Sequence, residues 1–234
     1  MTVQSEVYVI ILLTVILGIA IVVIGKKVEK ADPFAEPQGI LKPVLLGMTT
    51  VYNSVKTNVG KATADKLTPY ITVLWVYIFM SNTVSLFGLE SPTANLSVTL
   101  LLAFITWVLI QVTELKYGGL GAYLHAFIEP IPLMLPMNIV GKFSTMCSMA
   151  LRLFGNITCG GIMMQLIYAG AQLASDAIAG LLGAEGSVFN FMAPVIAPLL
   201  HAYFDLFAGF IQTLVFVTLT MVLIGNDMPD EAKQ

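Results

Sequence analysis

Five long apolar stretches, separated by short polar segments, run along this sequence. Each approaches or exceeds the roughly 20 residues that a helix needs to cross a bilayer. This pattern predicts an all-α membrane protein with five transmembrane helices, forming a single integral membrane domain over residues 1–234. The five predicted spans are residues 7–25, 69–89, 96–113, 137–174 and 191–225.

The first stretch predicts a retained span with a defined orientation. Residues 7–25 carry no charge, and Lys26, Lys27 and Lys30 follow them. A cleaved signal peptide has its positive charges before a shorter apolar core, which is the reverse order. Because lysines concentrate on the cytoplasmic side of a membrane, we expect the N-terminus outside. Five crossings then place the C-terminal tail, residues 226–234, in the cytoplasm.

Residues 26–68 predict a segment on the cytoplasmic side of the membrane. The segment holds seven of the ten lysines, and prolines break its early part. Apolar residues then recur at helical spacing from Leu45 to Val59, while lysines interrupt any possible span. An amphipathic helix on the membrane surface fits this pattern, and a plain cytoplasmic linker is the alternative.

The next segments predict a helical hairpin followed by irregular backbone. Residues 69–118 contain the second and third spans, joined outside by a polar turn at Glu90–Asn95. Glu114–Gly119 predict the cytoplasmic loop. Residues 119–136 are apolar but contain three prolines. Because irregular backbone at membrane depth must be covered by protein or water, this stretch predicts a re-entrant or interfacial hairpin.

The last two spans are too long to stand upright in a bilayer. Residues 137–174 would measure roughly 57 Å, against a hydrocarbon core of about 30 Å. A strong tilt accommodates such an excess, and a strongly tilted helix can lie along a curved partner. Residues 137–225 therefore predict two long, strongly tilted helices, joined by an external loop at Asp176–Asn190.

Composition supports the membrane assignment and removes several classes of function. Hydrophobic residues form 57% of the chain and charged residues 11%, against about 25% charged in soluble domains. The lysines are not interleaved with aromatics as in a nucleic-acid interface. Cys147 and Cys159 lack metal-ligand spacing, and no phosphate loop, nucleophile elbow or zinc-binding helix motif occurs. We therefore expect no catalytic site, metal or cofactor.

Arg152 is the residue that most strongly indicates a function. It is the only arginine, and it lies in a mostly apolar run from Met134 to Ala174. A guanidinium cannot escape this setting by deprotonation, so it usually faces protein or a water-filled cavity. Ser148 and Asn156, four residues on either side, share its helical face. A snorkelling arginine is the alternative, although snorkelling favours helix ends.

A second polar stripe is predicted on the last helix. His201, Asp205 and Gln212 are separated by four and seven residues, which places them on one face of an α-helix. Gly209 lies on the same stripe and permits close helix approach. An intramembrane carboxylate needs a partner, a proton or water. Asp205 is therefore an ion-path candidate or a buried structural pair, and His201 could share its proton.

Residues 151–156, Leu-Arg-Leu-Phe-Gly-Asn, resemble the signature of subunit a in the membrane sector of F-type rotary ATP synthases. Pro136–Ile139 resembles the approach to that helix. Asn82 and Ser91–Thr99 resemble two earlier landmarks of the family, and Gln212 resembles a fourth on the last helix. These landmarks occur in the family's order over most of the chain, which makes the resemblance specific.

The resemblance implies a stator ion-channel subunit of a bacterial rotary ATP synthase in the cell membrane. Such a subunit is non-catalytic and is not a homo-oligomer. It contacts a ring of c subunits, against which the long helices tilt, and the peripheral-stalk subunit b. Two half-channels pass protons or sodium ions to and from carboxylates on the ring. The resemblance makes Arg152, Asp205, Gln212, Asn156, Ser148 and His201 the residues of ion translocation.

One position departs from the family's pattern. Subunits a commonly carry an acid or histidine nine residues after the arginine, where this sequence has Gly161. The ionisable member that remains is Asp205, with His201 or water available to fill the gap. A self-contained proton-coupled transporter is the alternative function, in which Arg152 would bind an anionic substrate. Inverted repeats and paired broken helices would support it, and the sequence shows neither.

Overall fold

The computed structural model describes residues 5–31, 39–128, 131–181, 183, 189–226 and 228. Within these ranges the chain forms helices and no strand. Short 3₁₀ turns at Val84–Phe87, Pro92–Ala94 and Pro132–Met134 connect the longer elements. The α-helices are α1 Ser5–Glu29, α2 Leu41–Val59, α3 Lys61–Thr83, α4 Leu96–Ile128, α5 Leu135–Leu181, α6 Ala193–His201 and α7 Gly209–Asn226.

Five helical segments are long and apolar enough to cross a membrane, which confirms the predicted all-α fold with five spans. The first is the most apolar, and the fourth is the least buried within the chain. The fifth joins α6 to α7 through a π-helix at Ala202–Ala208, so that the predicted long last helix is present. The segments are Val7–Glu29, Thr63–Phe87, Leu96–Gly121, Pro132–Leu181 and Ala193–Asn226.

Helix α2 occupies part of the segment for which a surface helix was predicted. Its last turn is its most buried part, since Val55 and Val59 are fully enclosed. Gly60, with φ of 79°, separates α2 from α3 in a conformation that favours glycine. A hydrogen bond with Asp65 raises the pKa of the Tyr52 hydroxyl above its usual value. The position of α2 at a membrane surface remains a prediction.

Helix α4 corrects the predicted cytoplasmic loop at Glu114–Gly119. The helix continues through this segment to Ile128 and changes direction at Gly119, whose φ of 75° is available mainly to glycine. Glu114 is only 8% exposed and forms an ion pair with Lys142 of α5. A buried carboxylate is tolerated when it is paired, and this pair ties the kinked helix to α5. The predicted re-entrant path of residues 119–136 remains a prediction.

Helix α5 is 47 residues long, which corresponds to roughly 70 Å. It extends beyond the predicted 137–174 at both ends. The prediction that the external loop begins at Asp176 is wrong, because the helix continues through Asp176 to Leu181. The predicted tilt of α5 and of the last helix remains a prediction.

Two clusters of buried apolar side chains hold the helices together. The larger joins α2, α3, α4 and α7, and the smaller joins α3, α4, α5 and α7. Helix α7 therefore packs in the middle of the bundle. The larger cluster comprises Val55, Val59, Ala64, Leu67, Ile71, Ile110, Val217, Met221, Ile224 and Met228, and the smaller comprises Leu74, Ile78, Ala103, Met149, Ala150, Leu153 and Phe216.

A buried hydrogen-bond network fixes the turn between α3 and α4. Asn82 accepts a hydrogen bond at 2.8 Å from the Thr93 hydroxyl, and its amide donates at 3.2 Å to the carbonyl of Gly209. Ser91 donates at 2.6 Å to the carbonyl of Ser81. Since buried polar groups are costly when unpaired, this network holds α7 against α3 in one position. The family landmarks at Asn82 and Ser91–Thr99 thus have a structural role.

Candidate functional site

Arg152 lies on the outward face of α5. The buried side of the same turn packs into the smaller apolar cluster through Met149, Ala150 and Leu153. Ser148 and Arg152 are exposed, and Asn156 is half-buried. Because α5 is continuous here, the four-residue spacing places all three on one face. Arg152 lies about 26 Å along the helix from its first residue, far from either end.

The Arg152 side chain has no hydrogen-bond or ion-pair partner among the described residues of the chain. Sequence reasoning expected a charge covered by protein or water, whereas this chain leaves the guanidinium on its surface. An uncompensated charge at membrane depth costs several kcal/mol, about 3 on insertion scales. Its counter-charge or water must therefore come from outside the described residues.

His201 and Asp205 form the ionisable pair predicted on the last span. His201 Nδ1 lies 2.5 Å from Asp205 Oδ2, one helical turn apart. The Asp205 side chain is 17% exposed and that of His201 is 39% exposed. The Asp205 carboxylate therefore has the His201 imidazole as a hydrogen-bond partner. The pair combines a carboxylate acceptor with an imidazole, whose two nitrogens can both donate and accept a proton.

Tyr168 of α5 joins this pair and was missed by sequence reasoning. Its hydroxyl lies 2.9 Å from His201 Nε2, so that both imidazole nitrogens are engaged. The three side chains come from different elements, namely α5, the end of α6 and the π-helix. A tyrosine in an apolar helix is ordinary, and 33 residues separate it from His201. The contact requires the antiparallel pairing of the two helices, which spacing along one helix cannot supply.

Asp205 lies within the π-helix at Ala202–Ala208. A π-helix bonds each residue to the fifth one along, is rare, and frequently occurs at functional sites. The one-face prediction for His201, Asp205, Gly209 and Gln212 assumed an α-helical period throughout. The α-helical spacing does not apply across Ala202–Ala208. His201 and Asp205 are nevertheless in contact.

Gly160 and Gly161 pass close to the level of Asp205. A Cβ built at Gly160 would lie 3.6 Å from the Phe204 ring, whereas one at Gly161 would meet no heavy atom within 4 Å. Phe204 immediately precedes Asp205 in the chain. Gly161, where the sequence resemblance leads us to expect an ionisable residue, is therefore open to an added side chain and lies next to the glycine that contacts Phe204.

Gly209 and Gln212 lie on the buried side of α7. A Cβ at Gly209 would be 3.1 Å from the Cβ of Asn82, which agrees with the close approach predicted for this glycine. Gln212 is 7% exposed, and its Nε2 has no hydrogen-bond partner among the described residues. A buried amide without a partner costs about 1–3 kcal/mol. Gln212 therefore has an unused donor inside the bundle, on the same helix that carries Asp205.

The start of α6 is anchored to α5 near Tyr168. Asn190 donates from Nδ2 to the carbonyl of Tyr168 at 3.2 Å and accepts at Oδ1 from the backbone N–H of Ala193 at 3.0 Å. Ser175 accepts at 3.3 Å from the N–H of Met192 and also donates to Asn190. These contacts satisfy backbone groups at the helix start and fix the height of His201 against Tyr168.

The fold and these side chains define a multi-pass α-helical membrane protein with ionisable groups inside its membrane-spanning helices. Residues 7–225 match the family described as ATP synthase A chain. The chain belongs to this family.

Individual relatives carry the corresponding name. ATP synthase subunit a of Oceanobacillus iheyensis is 31% identical over 84% of this chain and 80% of its own length. That of Desulfotalea psychrophila is 34% identical over 72% and 63%. The protein named ATP synthase subunit a, sodium ion specific, of Propionigenium modestum is 32% identical over 69% of this chain. The matched region spans about half, 54%, of that relative.

Proposed function

We propose that this chain is the stator ion-channel subunit of a bacterial rotary ATP synthase. It provides two half-channels through which ions reach and leave carboxylates on a ring of c subunits. It couples ion flow to rotation and has no catalytic site for ATP itself. Its place is the bacterial cell membrane, beside the ring and the peripheral-stalk subunit b, with the N-terminus outside and the C-terminus in the cytoplasm.

The observation that carries this proposal is the exposed Arg152 in the middle of a membrane-length helix. Charged side chains within membrane helices almost always face protein or a water-filled cavity. The described residues offer Arg152 no partner, which supports the presence of a second protein facing it. A ring of passing carboxylates supplies an opposite charge at that place, and long helices tilted against the ring would follow its curvature.

Arg152 would perform two tasks at this contact. A positive charge within about 4–6 Å favours the ionised form of a carboxylate, so that the ring residue releases its ion as it arrives. The same charge repels cations and separates the two half-channels. Each ion that crosses yields about 2.3 kcal/mol per 100 mV, so the subunit must prevent ions from crossing without rotation.

The remaining polar residues would line the routes to the ring. Asp205 and His201 are in contact and can exchange a proton, which suits the access path from outside. Ser148 and Asn156 share the face of Arg152 and would orient water or the ring carboxylate beside it. Gln212, with its free amide donor, would hydrogen-bond the ring carboxylate during passage.

Replacing the arginine tests the proposal. We expect Arg152→Ala to abolish ATP synthesis driven by an ion gradient in membrane vesicles, while the c-ring and subunit b still co-purify with the chain. Arg152→Lys should also fail, because an ammonium lacks the planar fork of guanidinium and loses its charge more readily when buried. Lys116→Ala, which removes an exposed charge from α4, is the control and should retain synthesis.

Two results would overturn the proposal. Near-normal synthesis by Arg152→Ala would remove the role of the guanidinium. Purification of the chain alone or as a homo-oligomer, with substrate uptake in vesicles, would favour the self-contained transporter.

A further inference from the structure

We infer that Tyr168, His201 and Asp205 form a proton relay, with Tyr168 as its first residue, and that the ion carried along this path is therefore H⁺ rather than Na⁺. The inference rests on the proposed function in ion translocation, and it adds a residue and an ion to that function. It follows from a continuous hydrogen-bonded chain between two helices.

The contacts of the chain define which atom donates at each step. An ionised Asp205 carboxylate can only accept a hydrogen bond, so His201 donates to it from Nδ1 at 2.5 Å. His201 Nε2 is then an acceptor and receives the Tyr168 hydroxyl proton at 2.9 Å. One tautomer of the imidazole satisfies both contacts. Every group in the series is thus already oriented to move a proton from the hydroxyl toward the carboxylate.

A polar face on α5 continues from Tyr168 toward the end of the helix. Gln172 and Asp176 follow at intervals of four residues, about 6 Å of helix each. Gln172 donates to Asp176 at 2.9 Å, and all three side chains are half-buried. The neighbouring face carries apolar residues such as Leu173. This polar face would hold water beside the Tyr168 hydroxyl and so give the relay an approach from the side on which α5 ends.

The proton count balances along the relay. A hydronium ion gives a proton to the Tyr168 oxygen and becomes water, as the hydroxyl gives its own proton to His201 Nε2. At the same time Nδ1 gives its proton to Asp205 Oδ2, which becomes neutral. The imidazole is left with its proton on Nε2. Asp205 then passes its proton onward and becomes a carboxylate again. Water takes the Nε2 proton of His201, whose side chain is 39% exposed, and returns one to Nδ1, so that the starting tautomer is restored.

The same contacts disfavour sodium. A hard cation such as Na⁺ needs oxygen ligands, whereas the Asp205 oxygen faces an imidazole N–H. To bind Na⁺, the carboxylate would have to give up this contact, and the imidazole could not carry the ion further. A proton, in contrast, needs only the donors and acceptors already in line.

The test removes one hydroxyl from the relay. In vesicles that contain the whole membrane sector, an imposed potential drives uptake, which is followed as internal acidification and as entry of radioactive sodium. We expect acidification without sodium entry, and a loss of about tenfold or more in Tyr168→Phe. Tyr203→Phe is the matched control, because Tyr203 is exposed on the π-helix, and it should conduct like the parent.

A double-mutant cycle separates relay from structural support. If Tyr168 acts through His201, then Tyr168→Phe should cause no further loss in a His201→Gln background. Additive losses would overturn the relay in favour of a packing role. Parental flow in Tyr168→Phe with blocked flow in Asp205→Asn would overturn the inference and leave the proposed function intact. Sodium entry in the parent would overturn the assignment of H⁺, whereas parental synthesis by Arg152→Ala would remove the proposed function itself.

Discussion

Replacing Asp205 by asparagine isolates the chemistry of the carboxylate from its structural role. The asparagine oxygen can occupy the place of Oδ2, 2.5 Å from His201 Nδ1, and still accept the hydrogen bond. The amide cannot take up and release a proton near neutral pH. The helix contact should therefore survive in Asp205→Asn, while proton transfer is lost.

The expected loss of proton flow follows from the rate enhancement that a positioned acid–base group provides. Such groups contribute about 10²–10⁴ in rate, so we expect at least a hundredfold lower flow in Asp205→Asn, about 2.7 kcal/mol in barrier height. Asp205→Glu should retain more flow, because the carboxylate persists with one added methylene. The assay is proton uptake into vesicles under an imposed potential, with complex assembly checked by co-purification.

A second substitution makes this reasoning stricter. Gly161 lies at the level of Asp205, and a side chain added there meets open space. Gly161→Glu in the Asp205→Asn background should therefore restore part of the flow, whereas Gly161→Gln, of the same size without an ionisable proton, should not. Parental flow in Asp205→Asn would refute the reasoning and make the carboxylate structural. Equal recovery with glutamate and glutamine would refute the proton-carrying explanation.

Two further predictions concern the fold and its orientation. A Cβ at Gly225 would lie 2.4 Å from the carbonyl oxygen of Asn58. Gly225→Ala should therefore push α2 away from α7, destabilise the protein by about 1–3 kcal/mol and lower its melting temperature in detergent. Gly170→Ala is the control and should leave the melting temperature unchanged, because the added methyl meets open space. Equal melting temperatures for the two variants would contradict the close approach of α2 and α7. Single cysteines should be labelled from the cytoplasm within residues 26–68 and from outside within 176–190, and cytoplasmic labelling of residue 185 would exclude the five-span orientation.

The spans were predictable because lipid imposes one rule along the whole chain. A helix that crosses a bilayer must be apolar for about 20 residues, and that requirement is visible in sequence without any knowledge of packing. Element ends were less predictable. Asp176 looked like the start of a polar loop, but Gln172 donates to it one turn earlier in the helix, so the polar pair remains helical.

In the candidate site, contacts within one helix were predictable from the sequence, whereas contacts between helices were not. His201 and Asp205 are four residues apart, and their contact follows from local spacing. Tyr168 and Lys142 could not be assigned, because their partners lie 33 and 28 residues away on other helices. The kink at Gly119 was equally hidden. Its glycine suggested a loop, whereas the structure uses it to redirect α4, and Glu114 in the turn before it pairs with Lys142.

The π-helix at Ala202–Ala208 has a consequence for how this chain can be aligned with its relatives. A π-helical turn accommodates more residues than an α-helical turn, so the segment resembles an α-helix with an extra residue inserted. Deleting one residue there would restore an α-helix and leave the helical segments on its two sides in nearly the same rotational phase, because the wider turn absorbs the extra residue. Equivalent residues on the two sides of the π-helix are therefore better matched by their position in space than by counting along the chain.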